Sequence, residues 1–313
     1  MSERQIGCED LSLAIENLRR EGFRLDSIYP ADDPRTAILS RREESVRLAM
    51  PDAPPIPDGL PEFRPAFLLT RAGGTSGEGR AGMMYRDLIP GRLGGRYIAS
   101  HITIPDGGPV ADWVHYHRIA LQLIFVRSGW VRVVYEDQGE PFVMNEGDLV
   151  LQPPGIRHRV LESSRGLEVV EISAPALHET MADHDLALPN AEHPGRVFSG
   201  QQFLHHVAAA TPWTKFNEAE AQQTAMIEAT GGIADVRVIR PTDSSEITFD
   251  DPGAELVFGF VLRGRARLEF EKGFELSSAD SFVIPPGRSY ALDGMSEDFR
   301  LLHVTTARLD ASA

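Results

Sequence analysis

Two histidines, His115 and His117, stand two residues apart in the segment HYHRIALQLIFVRSG. On an extended strand, side chains two apart point to the same face, so both imidazoles project together. Gln122 follows five residues after His117, beyond a short turn at the start of the next strand, which Gly129 ends. A third histidine, His158, comes just after GDLVLQPPGIR, where Gly147-Asp148 turn into a strand and Pro153-Pro154-Gly155 shape a tight loop. Three neutral imidazoles suit Fe, Mn, Ni, Zn or Cu, and ligand type alone does not select among them. The chemistry on offer is that of one divalent metal per chain, held by His115, His117, His158 and Gln122. Gln122 would bind weakly through its amide oxygen or only hold a water. The bland alternative is three solvent-facing histidines on ordinary strands.

The elements that must position these residues are short strands. From residue 83 onward, segments of alternating apolar and polar residues are punctuated by Gly, Pro, Asp and Asn: RYIASHITI (96–104), LQLIFVRS (121–128), WVRVVYE (130–136), DLVLQ (148–152). Such spacing predicts an all-β sandwich or barrel. The pattern then repeats. GGRYIASHITIP (94–105) matches GGIADVRVIRP (231–241), QLIFVRSGWVRVVYE (122–136) matches VFGFVLRGRARLEFE (257–271), and GDLVLQPPGIRH (147–158) matches ADSFVIPPGRSY (279–290). The offsets are 137, 135 and 132 residues, in the same order, which indicates a duplicated domain. The boundaries read as an N-terminal arm over 1–61, a metal-binding domain over 62–178, a connector over 179–211 and a second domain over 212–308. In the arm, residues 9–21 have helical spacing, with Leu11, Ala14, Ile15 and Leu18 on one face and Gly22 as the stop. RREESVRLAM (41–50) reads as a second short helix, and the proline-rich PDAPPIPDGLPEFRP as an extended connector. The arm is expected to pack on the barrel or on a dimer partner.

A chain of 313 residues is comfortable for two domains, and 42% apolar residues suffice for a core. Its net charge of −15 argues against nucleic acid and against anionic membrane surfaces. The single cysteine, Cys8, rules out an intramolecular disulfide and a thiolate metal cluster, which suits a reducing compartment. The N-terminus lacks the apolar run of a signal peptide, and no stretch of ~18 apolar residues suggests a membrane span. The expectation is a soluble, cytoplasmic protein.

The two histidine segments resemble the two motifs of the cupin superfamily. In the first, H-x-H is followed after three or four residues by Glu and then, after six intervening residues, by Gly; here Gln122 takes the Glu position and Gly129 the Gly. The second runs from Gly through P-x-G to His, matched by Gly147, Pro153, Gly155 and His158. The resemblance covers both β-rich halves and implies two tandem cupin barrels, of the double-stranded β-helix or jelly-roll kind, behind a short helical arm. By analogy it implies a homodimer. The chain departs from the pattern at Pro109, where Gly is expected, at Glu162, where Asn is frequent, and at Gln122 itself. A neutral Gln leaves the site one more positive charge and removes a carboxylate base, favouring an anionic small-molecule substrate or an enolate-like intermediate. Aligning Gly129 with Gly264 puts Asp250, Pro252 and Val257 at the ligand positions of the second half, and the second motif has Tyr290 in place of His158, which predicts no metal there.

Further residues invite roles. His101 shares a strand face with Tyr97, Ala99 and Thr103; if that face is inward, His101 is a catalytic base and Tyr97 a hydrogen-bond donor. Otherwise His101 is a surface or core histidine. Arg157 is either a carboxylate anchor or a solvated loop residue, and Trp113 a pocket wall or packing. GEGRAG (77–82) matches a dinucleotide-binding pattern but precedes strand-and-turn sequence instead of a helix. HETMADH (178–184) spaces its histidines six apart, not the four of a zinc protease helix, and is discounted.

Bicupins with a metal in one half resemble gentisate, hydroxynaphthoate and flavonol dioxygenases. That resemblance implies Fe(II), bidentate binding of an aromatic or diketone-like substrate, and O₂. Manganese-dependent cupin lyases with three His and one Gln imply the alternative of a non-redox lyase, isomerase or cyclase, with Mn, Ni or Zn as the metal. A binding module without turnover is the third reading, since cupin barrels host many chemistries.

Overall fold

Period-two alternation, which sets apolar side chains on one or both faces of short strands, governs most of this chain. The computed structural model describes residues 3–74, 77–78, 83–242, 246–250 and 253–309. They form two β-barrels in tandem, each built of two facing sheets. No helix among the described residues is long and apolar enough to cross a membrane.

In the first barrel, one sheet carries the strands His115–His117, His158–Ser163, Trp130–Tyr135 and Phe142–Asn145. The facing sheet runs Leu204–His206, Leu149–Leu151, Leu121–Ser128, Leu167–Ala174, Ile98–Ile104, Met84–Asp87. In this second sheet the alternation is apolar on both faces. Leu121, Leu123 and Phe125 point out of the barrel, into a core shared with Val236, Phe258 and Phe260 of the other barrel. Ile124 and Val126 point inward, onto the barrel's own core of Val131, Val133, Tyr135 and Met144. The two barrels therefore meet through buried sheet faces and not through a linker. The second barrel's interior is closed by Phe249, Val257, Phe282, Tyr290 and Leu292.

The duplicated glycines serve one purpose twice. Gly129 (φ +83) and Gly264 (φ +75) both adopt the left-handed conformation that glycine tolerates. A Cβ at Gly129 would lie 2.3 Å from Ser164 Oγ, and at Gly264 2.6 Å from Ser296 Oγ.

Three expectations need correction. The N-terminal arm is largely β. Its helix forms at Leu11–Arg20, with the Asp10 side chain accepting from Leu13 N at 2.9 Å. RREESVRLAM is not a helix, however: after a turn at Arg42 (φ +55), Glu44–Ala49 is a strand whose Val46 and Leu48 are buried two apart. The strands Glu3–Gly7, Arg24–Tyr29, Thr36–Arg41 and Glu44–Ala49 join the first barrel's sheet through Thr180–Ala182. The domain boundary also moves, because Leu68–Thr70 pairs with Ser281–Val283 of the second barrel. The supposed connector belongs to the first barrel: Thr180–Ala182 pairs with His115–His117, and Leu204–His206 with Leu149–Leu151. Of GEGRAG, Gly77 and Glu78 pair with Tyr85 and Met84, while residues 79–82 lie outside the described residues.

Candidate metal centre

Strand pairing assembles the three histidines. His115 and His158 are direct cross-strand partners, and His117 lies two residues along on the same face. One nitrogen from each of the three falls within 4.8 Å of the others, and this is the one such His/Cys/Asp/Glu cluster among the described residues. His115 and His158 are buried and His117 half-buried.

Their outer nitrogens are held. His115 Nδ1 lies 2.7 Å from the Trp113 carbonyl, and His158 Nδ1 3.1 Å from the Ile156 carbonyl. A carbonyl oxygen only accepts, so both Nδ1 atoms carry the proton and both Nε2 atoms keep a lone pair. His117 Nδ1 is bonded to Thr180 Oγ1 at 3.1 Å, which holds that ring too. Anchoring one ring nitrogen while freeing the other is how proteins orient metal-binding histidines. The donor set therefore fits a divalent transition metal.

Gln122 sits at the edge of this cluster, buried in a polar chain. Tyr135 OH donates to Gln152 Oε1 (2.6 Å), Gln152 Nε2 donates to Gln122 Oε1 (2.9 Å), and Gln122 Nε2 donates to Glu171 Oε1 (3.0 Å). Ser173 Oγ also donates to Glu171 Oε1, at 3.2 Å. Gln152 Nε2 lies 3.3 Å from His158 Nε2, so the chain touches the cluster.

Sequence reasoning missed Glu171 and His178. Glu171 was legible in principle, as the charged residue on the inward face of LEVVEISA. His178 lay in the discounted HETMADH. It is buried, its Nδ1 donates to the Pro175 carbonyl at 3.0 Å, and its Nε2 is buried with no hydrogen-bond partner. Burial pushes its pKa below the ordinary histidine range, so the ring is neutral. The His178 and His117 rings meet edge-on with centroids 5.4 Å apart. A cavity of about 60 Å³ is lined by His117, Glu171, His178, Thr180, Ser100 and Asp32. Asp32 comes from the loop between the N-terminal strands Arg24–Tyr29 and Thr36–Arg41, which thus helps to close the site. A larger cavity of about 340 Å³ shares Asp32 and Ser100 and adds Arg35 and Arg92.

His101 and Tyr97 are not brought to the cluster. They do share a face, as expected, but it is the one turned to the second barrel. Tyr97 OH donates to Glu255 Oε1 at 2.9 Å and pairs with Thr306 Oγ1 at 2.7 Å. His101 Nε2 bonds Glu168 Oε2 at 2.7 Å, and its ring lies against Phe260. Alternation fixes which residues share a face but not which face is inward. Arg157 is engaged by Asp183 (3.0 Å) and stacks over Tyr116, and the Trp113 ring lies against His115 with centroids 5.1 Å apart. In the second barrel Val257 and Tyr290 are buried among aromatic rings, Asp250 is exposed, and Pro252 lies outside the described residues.

A β-barrel carrying a three-histidine cluster from two short motifs, backed by a second barrel of the same design, defines a bicupin. Residues 100–173 match the cupin domain family, so the first barrel is a cupin domain. No curated protein matches the sequence. Among solved structures, protein Ylba from E. coli superposes with a TM-score of 0.56 at 12% identity, over 81% of this chain and 96% of that one. Oxalate decarboxylase from Bacillus subtilis superposes with a TM-score of 0.57 at 10% identity, over 79% of this chain and 77% of that one. Another structure of that decarboxylase, similar at a TM-score of 0.56 and 11% identity, concerns its Mn(II) centres. At such identities these likenesses describe the fold, and they extend over both barrels.

Proposed function

We propose that this chain is a metal-dependent enzyme acting on a small anionic substrate by acid–base chemistry. One observation carries the reading: the Glu171 carboxylate and the unpartnered Nε2 of His178 line the same small cavity as His117. A divalent metal held by His115, His117 and His158 would supply Lewis acidity, polarising a substrate oxygen. Glu171 is placed to take a proton from carbon or oxygen, with Gln122 Nε2 and Ser173 Oγ fixing the carboxylate. His178 Nε2 offers a second, buried acceptor from the loop between Leu167–Ala174 and Thr180–Ala182. Arg92, bonded to Asp32 Oδ2 at 2.6 Å, stands at the neighbouring cavity where an anionic group would arrive. The Gln122 position has therefore not lost its negative charge so much as passed it to the adjoining strand. Lyase or isomerase chemistry uses all of these groups.

A dioxygenase reading uses the same centre and is favoured by its neutral donors, which leave a full dipositive charge for a bidentate enolate. The test is reconstitution with Mn(II), Fe(II) or Zn(II) and a panel of small keto and dicarboxylic acids, followed by NMR in D₂O and by an oxygen electrode. Carbon–carbon cleavage or deuterium incorporation without O₂ uptake is expected, falling on the order of 100-fold in Glu171→Gln with metal content retained. Stoichiometric O₂ consumption would establish the oxygenase reading instead, and no turnover with any metal would leave a binding protein. The homodimer expected by analogy belongs to the same proposal and is checked by light scattering.

A further inference from the structure

A second concave site lies where the two barrels meet, away from the histidines. Its cavity, of about 200 Å³, is lined by Arg127, Arg263, Arg300, Trp213, Gln222 and Phe125. Arg127 is five residues beyond Gln122 on the same strand, which places the cleft about 17 Å from the metal centre along the sheet. Arg263 ends the equivalent strand of the second barrel, and Arg300 begins its neighbour.

The cations here outnumber their partners. Arg263 is paired with Glu146, which also lines the cleft, but both side chains are about half exposed, and such pairs are weak. Arg127 is bonded to Glu168 and to Ser278 Oγ (2.9 Å), while its Nε is buried without a partner. Arg300 donates to the carbonyls of Phe299 (2.7 Å) and Glu297 (3.4 Å), and no carboxylate stands in salt-bridge range of it among the described residues. A fourth guanidinium, Arg240, is paired with Glu220 (2.7 Å) and lies 4.2 Å over the Trp213 ring, and Arg300 is 5.6 Å from the same ring. Burial, together with the charges of Arg240 and Arg263, pushes the Arg300 pKa down, only partly offset by Asp298. In a chain of net charge −15, arginines gathered around one hollow are held against mutual repulsion.

We propose that this cleft binds a small oxyanion carrying two or more negative charges, of the phosphate or polycarboxylate class. Planar guanidinium forks suit such groups bidentately, and the hollow has room for about seven waters' worth of ligand. Because Arg127 also bonds Glu168 within the first barrel and Ser278 Oγ of the second, an occupant would compete with a contact that joins the barrels.

The experiment is calorimetric titration with inorganic phosphate and with citrate at constant ionic strength, read in parallel by Trp213 fluorescence in a Trp113→Phe/Trp130→Phe background. Wild type is expected to bind one anion per chain saturably. Arg300→Gln and the more exposed Arg263→Gln should each weaken binding at least tenfold, while His115→Ala/His117→Ala leaves it unchanged. Circular dichroism confirms that the variants are folded, and Arg263→Gln keeps the test valid should Arg300→Gln unfold. Absence of saturable binding to wild type overturns the proposal, as does undiminished binding in both arginine variants. Loss of binding in the histidine variant also overturns it, by placing the anion at the metal centre. The proposal does not depend on turnover, so it can fail while the enzyme reading stands.

Discussion

Gln122 and Glu171 share a hydrogen bond of 3.0 Å across adjacent strands, with the amide donating and the carboxylate accepting. This polarity turns Gln122 Oε1 toward Gln152 and the histidine cluster. Gln122→Glu would set two carboxylates against each other at this distance. The variant is expected to unfold ~1–3 kcal/mol more easily without metal, because a buried carboxylate loses its donor and gains a like charge. The double variant Gln122→Glu/Glu171→Gln should recover most of that loss. Chemical denaturation of the four proteins in the cycle measures the coupling; additive effects would contradict it.

Metal binding should stabilise the fold through His115, His117 and His158. At a metal concentration a hundred times the Kd, wild type gains about 2.7 kcal/mol. Chelation is expected to lower its Tm, and the same treatment should leave His115→Ala/His117→Ala unmoved. Elemental analysis of both proteins, purified without chelators, shows whether about one metal per chain disappears with the histidines.

His178 should be dispensable for the fold. Its Nε2 is buried with no partner, and such groups cost stability. His178→Phe loses the bond to the Pro175 carbonyl but relieves that cost, so stability should stay within about 1 kcal/mol of wild type. Metal content should be unchanged and turnover should fall. A large loss of stability would show instead that the ring is structural.

Acid sensitivity is predicted in the second barrel. Burial pushes the His303 pKa down from 6.5 to about 3, and Arg237 reinforces the shift. The unfolded chain therefore takes up a proton that the folded chain refuses. Stability from this residue is complete above the unfolded pKa and is lost as pH falls from about 6.5 toward 3, by about 1.4 kcal/mol per pH unit. In His303→Gln a carbonyl replaces the ring nitrogen that accepts from Tyr290 OH at 2.7 Å. The variant should show a shallower decline in Tm between pH 6.5 and 4 than wild type; parallel profiles would refute the assignment.

Tyr97 should behave as a bolt between the barrels. Tyr97→Phe leaves Glu255 and Thr306 without the shared hydroxyl and is expected to cost ~1–3 kcal/mol, with metal content intact. A catalytic role would show the reverse, a normal Tm with lost turnover.

The sequence by itself determined a good deal. Period two put His115 and His117 on one face, and the resemblance to the two cupin motifs added His158 to them. Offset repeats exposed the duplicated barrel, and Gly129 and Gly264 marked matching turns. The apolar face of Leu11, Ala14, Ile15 and Leu18, stopped by Gly22, marked the helix. Residues 41–50 read as a helix because Val46, Ala49 and Met50 stand at i, i+3 and i+4, whereas the face that is buried, Val46 and Leu48, follows period two and shows only once the partner strands are known.

Only the tertiary structure decided which face of the Ile98–Ile104 strand is inward. A strand between two barrels is apolar on both sides, so nothing local separates Tyr97 and His101 from Ile98 and Ser100. It also brought Glu171 and His178, from one strand and the loop after it, together with Asp32 of the N-terminal arm at the cluster. Their convergence depends on sheet register and on how the N-terminal strands close over the barrel, both set by long-range pairing that no short stretch of sequence encodes.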